Sequence, residues 1–393
     1  MTALPTSAPP SEAPLATPLL RPHMPELDAI RGLAILGVVL YHLFYWVQDL
    51  RLFSHWQRIF LLSMSPGQFG VNLFFVLSGF LITGILIESK STTKYYTRFY
   101  FRRALRILPA YYFTLFLLVL LGLTSRGFLL MSCFYCSNLS GLFGIALSYT
   151  VLWSLAVEEH YYLLWPFAVK RFSPSRLMWL LSAIILASPL SRLLYHLHAF
   201  HNGLSNATYG YYTWNNADGL ALGSFMAILI RRPGWRRQEL RNLSVGLLVL
   251  AILIAAAGYP HILSRTTALG EALQVVPWNL ASGALLGSAL LLGSSSKRRF
   301  VSPPPLVFLG HISYGLYLYH LIFLSAYGWA TQRLHFQAWW NATLWQQLWL
   351  RAVVAGVAAI TFSYLSREYF EDFFLRLKNT SRSSALNTIS TSA

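Results

Sequence analysis

Charge is scarce in this sequence. Asp, Glu, Lys and Arg make up only 11% of the 393 residues, while 55% are hydrophobic and 16% aromatic. A soluble domain carries about a quarter charged residues, so water is excluded as the main solvent of this chain. Acidic residues are scarcer still, 13 against 30 Lys and Arg, which leaves a net charge of +17. Cysteine is nearly absent. Cys133 and Cys136 form a lone C-x-x-C, which can be redox-active or close a disulfide outside the cytoplasm. No second pair or nearby His supports a metal site there, and packing is the plainer reading. No internal repeat of the kind found in many secondary transporters is visible. No cleavable signal peptide is expected, because the first apolar run begins late and is long enough to span.

Long apolar runs are abundant. A spanning helix needs about 20 mostly apolar residues, and such stretches occur at 29–46, 69–87, 104–123, 150–169, 177–197, 214–230, 243–258, 272–292, 306–327 and 348–370. They predict an all-α fold, a polytopic integral membrane bundle of about ten transmembrane helices. Basic residues set its orientation. They collect in alternate links, at Lys90 to Arg106, Lys170 to Arg176, Arg231 to Arg241, Lys297 to Arg299 and after Arg367. The exceptions are Arg51, Arg58, Arg126, Arg192, Arg265, Arg333 and Arg351. With N- and C-termini both cytoplasmic, this satisfies the positive-inside rule at each turn and removes the need for a nucleic-acid partner. A multi-pass protein of the inner (cytoplasmic) membrane is expected, with lipid around it. Residues 1–24, rich in Pro, Ala, Ser and Thr, read as a disordered cytoplasmic tail. Residues 25–376 read as the membrane domain and 377–393 as a second disordered tail.

An ionisable side chain deep in a spanning helix costs at least about 2.5–3.5 kcal/mol, so each one needs a reason. In DAIRGLAILGVVLYH, eleven residues separate Arg31 from His42. Eleven steps of about 100° return nearly to the starting azimuth and climb roughly 16 Å, so both lie on one helix face. Glu158 of WSLAVEEHYYLLWPF, entering from the opposite side, reaches nearly the same depth as His42. A carboxylate and an imidazole at one level are natural partners, and the pair is the leading catalytic candidate. Ser78 of FFVLSGF and His320 of ISYGLYLYH fall near that level too. A helix serine often bonds only its own carbonyl, and a lone intramembrane histidine is often a packing residue. Gly79 would let a backbone or a ligand come close.

A second constellation is RFYFRRALRILP, with Arg98, Arg102, Arg103 and Arg106 ahead of Pro109. Arg102 and Arg106 share a helix face, with Arg103 adjacent. Topology alone would be served equally by lysine. Four guanidinium groups suit bidentate phosphate recognition, and coenzyme A carries a diphosphate and a ribose phosphate.

In order and spacing, Arg31-x10-His42, GVNLFFVLSGFLI, the arginines before RILP, WSLAVEEHYYLLWP, NADGLALGSFMA and ISYGLYLYH resemble membrane acyltransferase family 3. That family includes bacterial O-acetylases of lipopolysaccharide and peptidoglycan, and the likeness runs over roughly residues 25–372. It implies a membrane O-acyltransferase that draws acetyl-CoA or another acyl-CoA from the cytoplasm and acylates a carbohydrate hydroxyl. It implies an essential His42, and Arg31, Arg102, Arg103 and Arg106 contacting the coenzyme. It implies no permanently bound cofactor and no metal. Glu158 joins as a further catalytic candidate, Arg98 as a donor contact, and Ser78, Gly79, Asn72, Trp153, Tyr161 and His320 as pocket candidates. Asn72 stands where Asp is frequent, His160-Tyr161 replaces Gln-Phe, and the last helix ends EYFEDFF without Glu-x-Pro. No fused extracytoplasmic esterase domain is expected after the tenth helix.

A thioester is already activated, so catalysis requires mainly a base for the acceptor hydroxyl. Neutral His42 can serve, with Glu158 orienting it, or His42 can carry the acyl group itself. The competing class is a transporter or flippase for a lipid-linked or polar solute, which also hides charges in helices. The absence of repeats and the arginine cluster weigh against it.

Overall fold

The computed structural model describes residues 19–46, 48–202, 209–258, 267–295, 297–334 and 343–377. Among the described residues there is no strand, and ten long helices carry the fold. They are α1 (Pro25–Leu40), α2 (Gly70–Glu88), α3 (Tyr95–Leu120), α4 (Leu152–Arg171), α5 (Pro174–His201), α6 (Thr213–Ile230), α7 (Arg237–Gly258), α8 (Val276–Gly293), α9 (Ser313–Arg333) and α10 (Leu344–Leu365). Local chemistry marks their ends. α1 has proline in its first turn with Glu26 and Asp28 facing the positive helix terminus. α5 begins with the Ser173 side chain capping Arg176 N–H, and α10 with a Thr343–Gln346 capping box.

Each expected apolar run maps onto one of these helices, but among the described residues only seven helices are long and apolar enough to cross a membrane. An eighth counts if Pro304–His311 and α9, bent by 77°, form one span. α4 and α6 fall short because polar residues on them face protein rather than lipid. Of the 18 residues of α6, 14 are buried, among them Asn215, Asn216 and Asp218. A helix covered on nearly every side has no need of a lipid-compatible surface. The exposed faces elsewhere are apolar, as at Trp179, Leu186 and Leu190 of α5 and Val249, Ile252 and Leu253 of α7, which suits hydrocarbon contact.

Three apolar cores tie the bundle together. One joins α1, α3, α9 and α10 through Ile35, Tyr111, Leu316 and Ala355. A second joins α1, α2, α6 and α8 through Ile30, Val76, Met226 and Leu290. The third joins α2 to α5 through Leu86, Phe99, Tyr162 and Leu181. α2 and α6 are pressed backbone to backbone. A Cβ at Gly79 would stand 2.0 Å from Leu220 O, and one at Gly223 only 1.8 Å from Val76 O. The close approach expected at Gly79 is therefore to another helix, the small-residue contact typical of membrane bundles.

The tails expected over 1–24 and 377–393 fall largely outside the described residues. Where the first is described, Leu19, Leu20 and Met24 pack on the second core, and Arg21 donates to the Glu26 carboxylate and the Gly293 carbonyl. The packed domain thus starts before residue 25, because a buried carboxylate on α1 requires its guanidinium partner. Cys133 and Cys136 are both free and partly buried.

Candidate active site

Two cavities enter the bundle between the cores. One, of about 310 Å³, is lined by Arg31, Ser78, Arg103, Arg106, Glu158 and Tyr314, drawing on five helices. The other, of about 480 Å³, lies towards the opposite end and is lined by His42, Trp46, Asn72, Trp153 and Tyr211 among others. Val71 and Tyr317 line both. The Tyr317 hydroxyl is hydrogen bonded to Ser154 Oγ, and Ser154 lines the arginine cavity. Tyr317, Val71 and Ser154 therefore stand between the two spaces.

His42 sits where α1 passes into a π-helical turn, Tyr41–Tyr45, closed by Trp46 N–H on Tyr41 O at 2.9 Å. Such turns are over-represented at functional positions. Its Nδ1 is 2.8 Å from Val38 O. The Nε2 of His320 lies 3.2 Å from the same Nδ1, and His320 Nδ1 lies 2.9 Å from Leu316 O. For neutral rings these contacts assign the protons. Carbonyl oxygens only accept, so each Nδ1 carries hydrogen, and the neutral ring then leaves each Nε2 as an acceptor. His320 Nε2 receives a share of the His42 Nδ1–H. His42 Nε2 remains an unprotonated nitrogen in a ring that lines the larger cavity.

Glu158 does not meet His42. It accepts from Ser78 Oγ at 3.2 Å and from Tyr162 O–H at 2.7 Å, and it lines the arginine cavity. Depth alone does not bring the two together, because rotation about α4 turns the carboxylate towards α2 and away from the π turn. The partner of His42 is His320, 1% exposed, on α9.

The arginines divide. Arg31, Arg103 and Arg106 converge on the smaller cavity, with Arg31 held by Asp28 at 2.8 Å. The Arg103 guanidinium lies 3.5 Å over the Tyr162 ring, and its Nε is buried without a protein partner among the described residues. Arg98 and Arg102 are exposed and do not line the cavity. Arg106 is itself exposed while it lines the cavity, and Arg103 beside it is half-buried. Arg103 and Arg106, three residues apart, are equally close neighbours on a helix, and packing chose them.

Among the other pocket candidates, Ser78 lines the arginine cavity while Asn72 and Trp153 line the larger one. Tyr161 is a packing residue. Its hydroxyl bonds Ser224 and Thr83, and its ring stacks on Trp165. Sequence reasoning missed Tyr317, Tyr211 and the buried Arg192–Asp218 pair, 3.0 Å apart at 3% and 6% side-chain exposure. Two opposite charges within apolar runs were the available signal for that pair.

Comparison with known proteins follows this geometry. Residues 24–368 match the family model of the acyltransferase domain, family 3. O-acetyltransferase OatA of Staphylococcus aureus is 27% identical over 339 residues, covering 78% of this chain and 52% of the relative. Peptidoglycan O-acetyltransferase OatA of Listeria monocytogenes is 26% identical, covering 76% and 49%. The putative peptidoglycan O-acetyltransferase YrhL of Bacillus subtilis is 30% identical, covering 76% and 48%. The chain spans about half the length of these relatives. No solved structure matches it. Matched over most of its length, and with the arginine and histidine landmarks gathered around two adjoining cavities, this multi-pass membrane protein belongs to acyltransferase family 3.

Proposed function

We propose that the protein is a membrane O-acetyltransferase that moves acetyl from cytoplasmic acetyl-CoA to a hydroxyl of a cell-envelope carbohydrate. One observation supports the reading: a cavity lined by three arginines and a second, aromatic-lined cavity adjoin beside His42, whose Nδ1 is engaged by Val38 O and His320. Relatives named as peptidoglycan O-acetyltransferases support the carbohydrate acceptor. The arginine cavity faces the cytoplasm in this account, and the basic links on that side support the orientation.

Arg31, Arg103 and Arg106 hold the phosphates of the donor, and the pantetheine arm extends past Ser78 and Glu158 to the Tyr317 partition. His42 Nε2 takes the proton of the acceptor hydroxyl as its oxygen bonds to the thioester carbonyl carbon. The C–S bond then breaks, and the coenzyme thiolate leaves with that proton. Throughout, His42 Nδ1–H stays bonded to Val38 O and His320 Nε2, which stabilises the transient imidazolium without moving a second proton. Glu158 accepts from Tyr162 and Ser78 and holds both in place. The same His42 nitrogen is also placed to carry the acetyl group covalently, and label trapped on His42 with ping-pong kinetics distinguishes that route from direct transfer.

The test is transfer of label from [14C]acetyl-CoA to envelope glycan by protein in proteoliposomes. Labelled glycan is expected. A protein that moves glycan across the bilayer with no donor present, and yields no labelled product, is a flippase and not this enzyme.

A further inference from the structure

We infer that Arg351 is a positioning residue for the transfer: from α10 it holds the π turn that carries His42. The inference rests on the role of His42 proposed above. Arg351 is one of the seven arginines that the basic links leave unaccounted for. It stands seven residues beyond Leu344, the start of α10, roughly 10 Å along the helix and within the otherwise apolar stretch LWLRAVVAGVAAI. A guanidinium there is costly and needs a reason. A long arginine near a helix end ordinarily turns back to the nearer interface. Arg351 is half-buried instead, and its Nη2 donates to the Leu43 carbonyl of the π turn at 2.6 Å. Its Nε is buried without a protein partner among the described residues. The bond to Leu43 is therefore the contact that fixes the group.

That bond falls where the turn needs a donor. The last carbonyls of a helix have no N–H partner within it, and a π turn shifts the pairing by one residue more. Trp46 N–H goes to Tyr41 O, past the His42 carbonyl that an α-helix would give it, and Gln48 N–H goes to Tyr45 O. Leu43 O, the carbonyl directly after that of His42, receives the guanidinium. A cation at this point also complements the negative end of α1.

Other contacts of α10 with the turn are apolar. The Trp349 ring lies 4.9 Å from that of Phe44, and Leu43 packs beside Gly356. They press helix on helix without fixing the backbone of the turn, and an isolated π turn is rare because α geometry is the more favourable. Arg351 grips that backbone one residue from His42. It lines neither cavity, so it acts through His42 and not on a substrate. With the grip in place, the His42 ring stays where its Nδ1 meets Val38 O and the ring lines the larger cavity. Without it, the turn is free to relax towards α geometry and swing the ring.

The full chain in nanodiscs tests this, with [14C]acetyl-CoA as donor and peptidoglycan as acceptor. Arg351→Met keeps the length of the side chain, removes the donor and takes a charge out of the span, which a membrane helix tolerates. Its kcat should fall about ten- to a hundredfold, as misplacement of a reacting group does, with little change in the acetyl-CoA KM. Arg351→Lys should recover most of kcat, because one N–H rather than a bidentate fork is engaged. Diethyl pyrocarbonate, which carbethoxylates unprotonated imidazole nitrogen, gives a readout that needs no turnover. By peptide mass spectrometry, His42 should be modified faster in Arg351→Met and at the parent rate in Arg351→Lys, with the exposed His55 unchanged in both. Arg333→Ala, which removes an exposed arginine 5.6 Å over the Trp329 ring, should match the parent in both readouts. Arg351→Leu, a second variant without a donor, replaces Arg351→Met if that protein does not fold. Parent-like kcat in the donor-free variant, a lowered kcat with His42 modified at the parent rate, or no recovery in Arg351→Lys overturns the inference. An active His42→Ala overturns the role proposed for His42 instead, and the modification rates still decide whether Arg351 holds the turn.

Discussion

Replacing His320 is the perturbation that separates this account from one built on a histidine–carboxylate pair. In His320→Ala the His42 Nδ1–H keeps Val38 O, 2.8 Å away, but loses the 3.2 Å contact to His320 Nε2. That contact matters most when His42 is protonated, since the donor is then an imidazolium. A hydrogen bond to a charged group contributes about 1.5–3 kcal/mol net, and roughly 1.4 kcal/mol is tenfold in rate. The kcat for acetyl transfer should therefore fall about ten- to 150-fold. The KM for acetyl-CoA should move far less, because His320 does not line the arginine cavity. His320→Gln, whose side-chain oxygen can accept the same hydrogen, should recover part of the loss. Steady-state kinetics on purified variants, with thermal unfolding as the control for folding, is the assay. A His320→Ala enzyme with kcat within twofold of the parent refutes the reasoning.

The remaining predictions concern the two cavities and the partition. Arg103→Ala and Arg106→Ala should each raise the acetyl-CoA KM about tenfold or more, as loss of a charge-assisted phosphate contact requires, while Arg98→Ala changes it little; donor-dependence curves check this. Arg192→Ala strands the buried Asp218 carboxylate and should cost about 3–5 kcal/mol, whereas Arg192→Met with Asp218→Leu should regain much of it; unfolding midpoints in detergent decide. Tyr317→Ala removes the side chain that stands between the cavities and should raise acetyl-CoA hydrolysis in the absence of glycan, read as free coenzyme thiol.

Much of this was legible in the residues, and what was not has a physical explanation. Arg31 and His42 both line cavities, but different ones, and the α-helix that would fix a common azimuth gives way to a π turn at Tyr41 before His42 is reached. Depth is one coordinate of three. It brought His42 and Glu158 to one level but could not say which way α4 is rotated, and Glu158 faces Ser78. The choice of Arg103 over Arg102 was likewise open, because either pairs with Arg106 on a helix surface and only neighbouring helices decide. Hydropathy pointed to each of the ten long helices among the described residues, but only seven, or eight with the bent pair, are long and apolar enough to span, and α4 and α6 are too polar because the bundle covers them. Arg192 and Asp218 were visible as charges in apolar runs, but their meeting depends on α5 packing on α6.

The central claim is that acetyl transfer runs through His42, between a donor held by arginines and an acceptor in the cavity beyond Tyr317. Its most direct test is label transfer from [14C]acetyl-CoA to glycan by His42→Ala protein that elutes and unfolds like the parent. The account predicts no labelled glycan while acetyl-CoA still binds. Labelled glycan formed at the parent rate would contradict it.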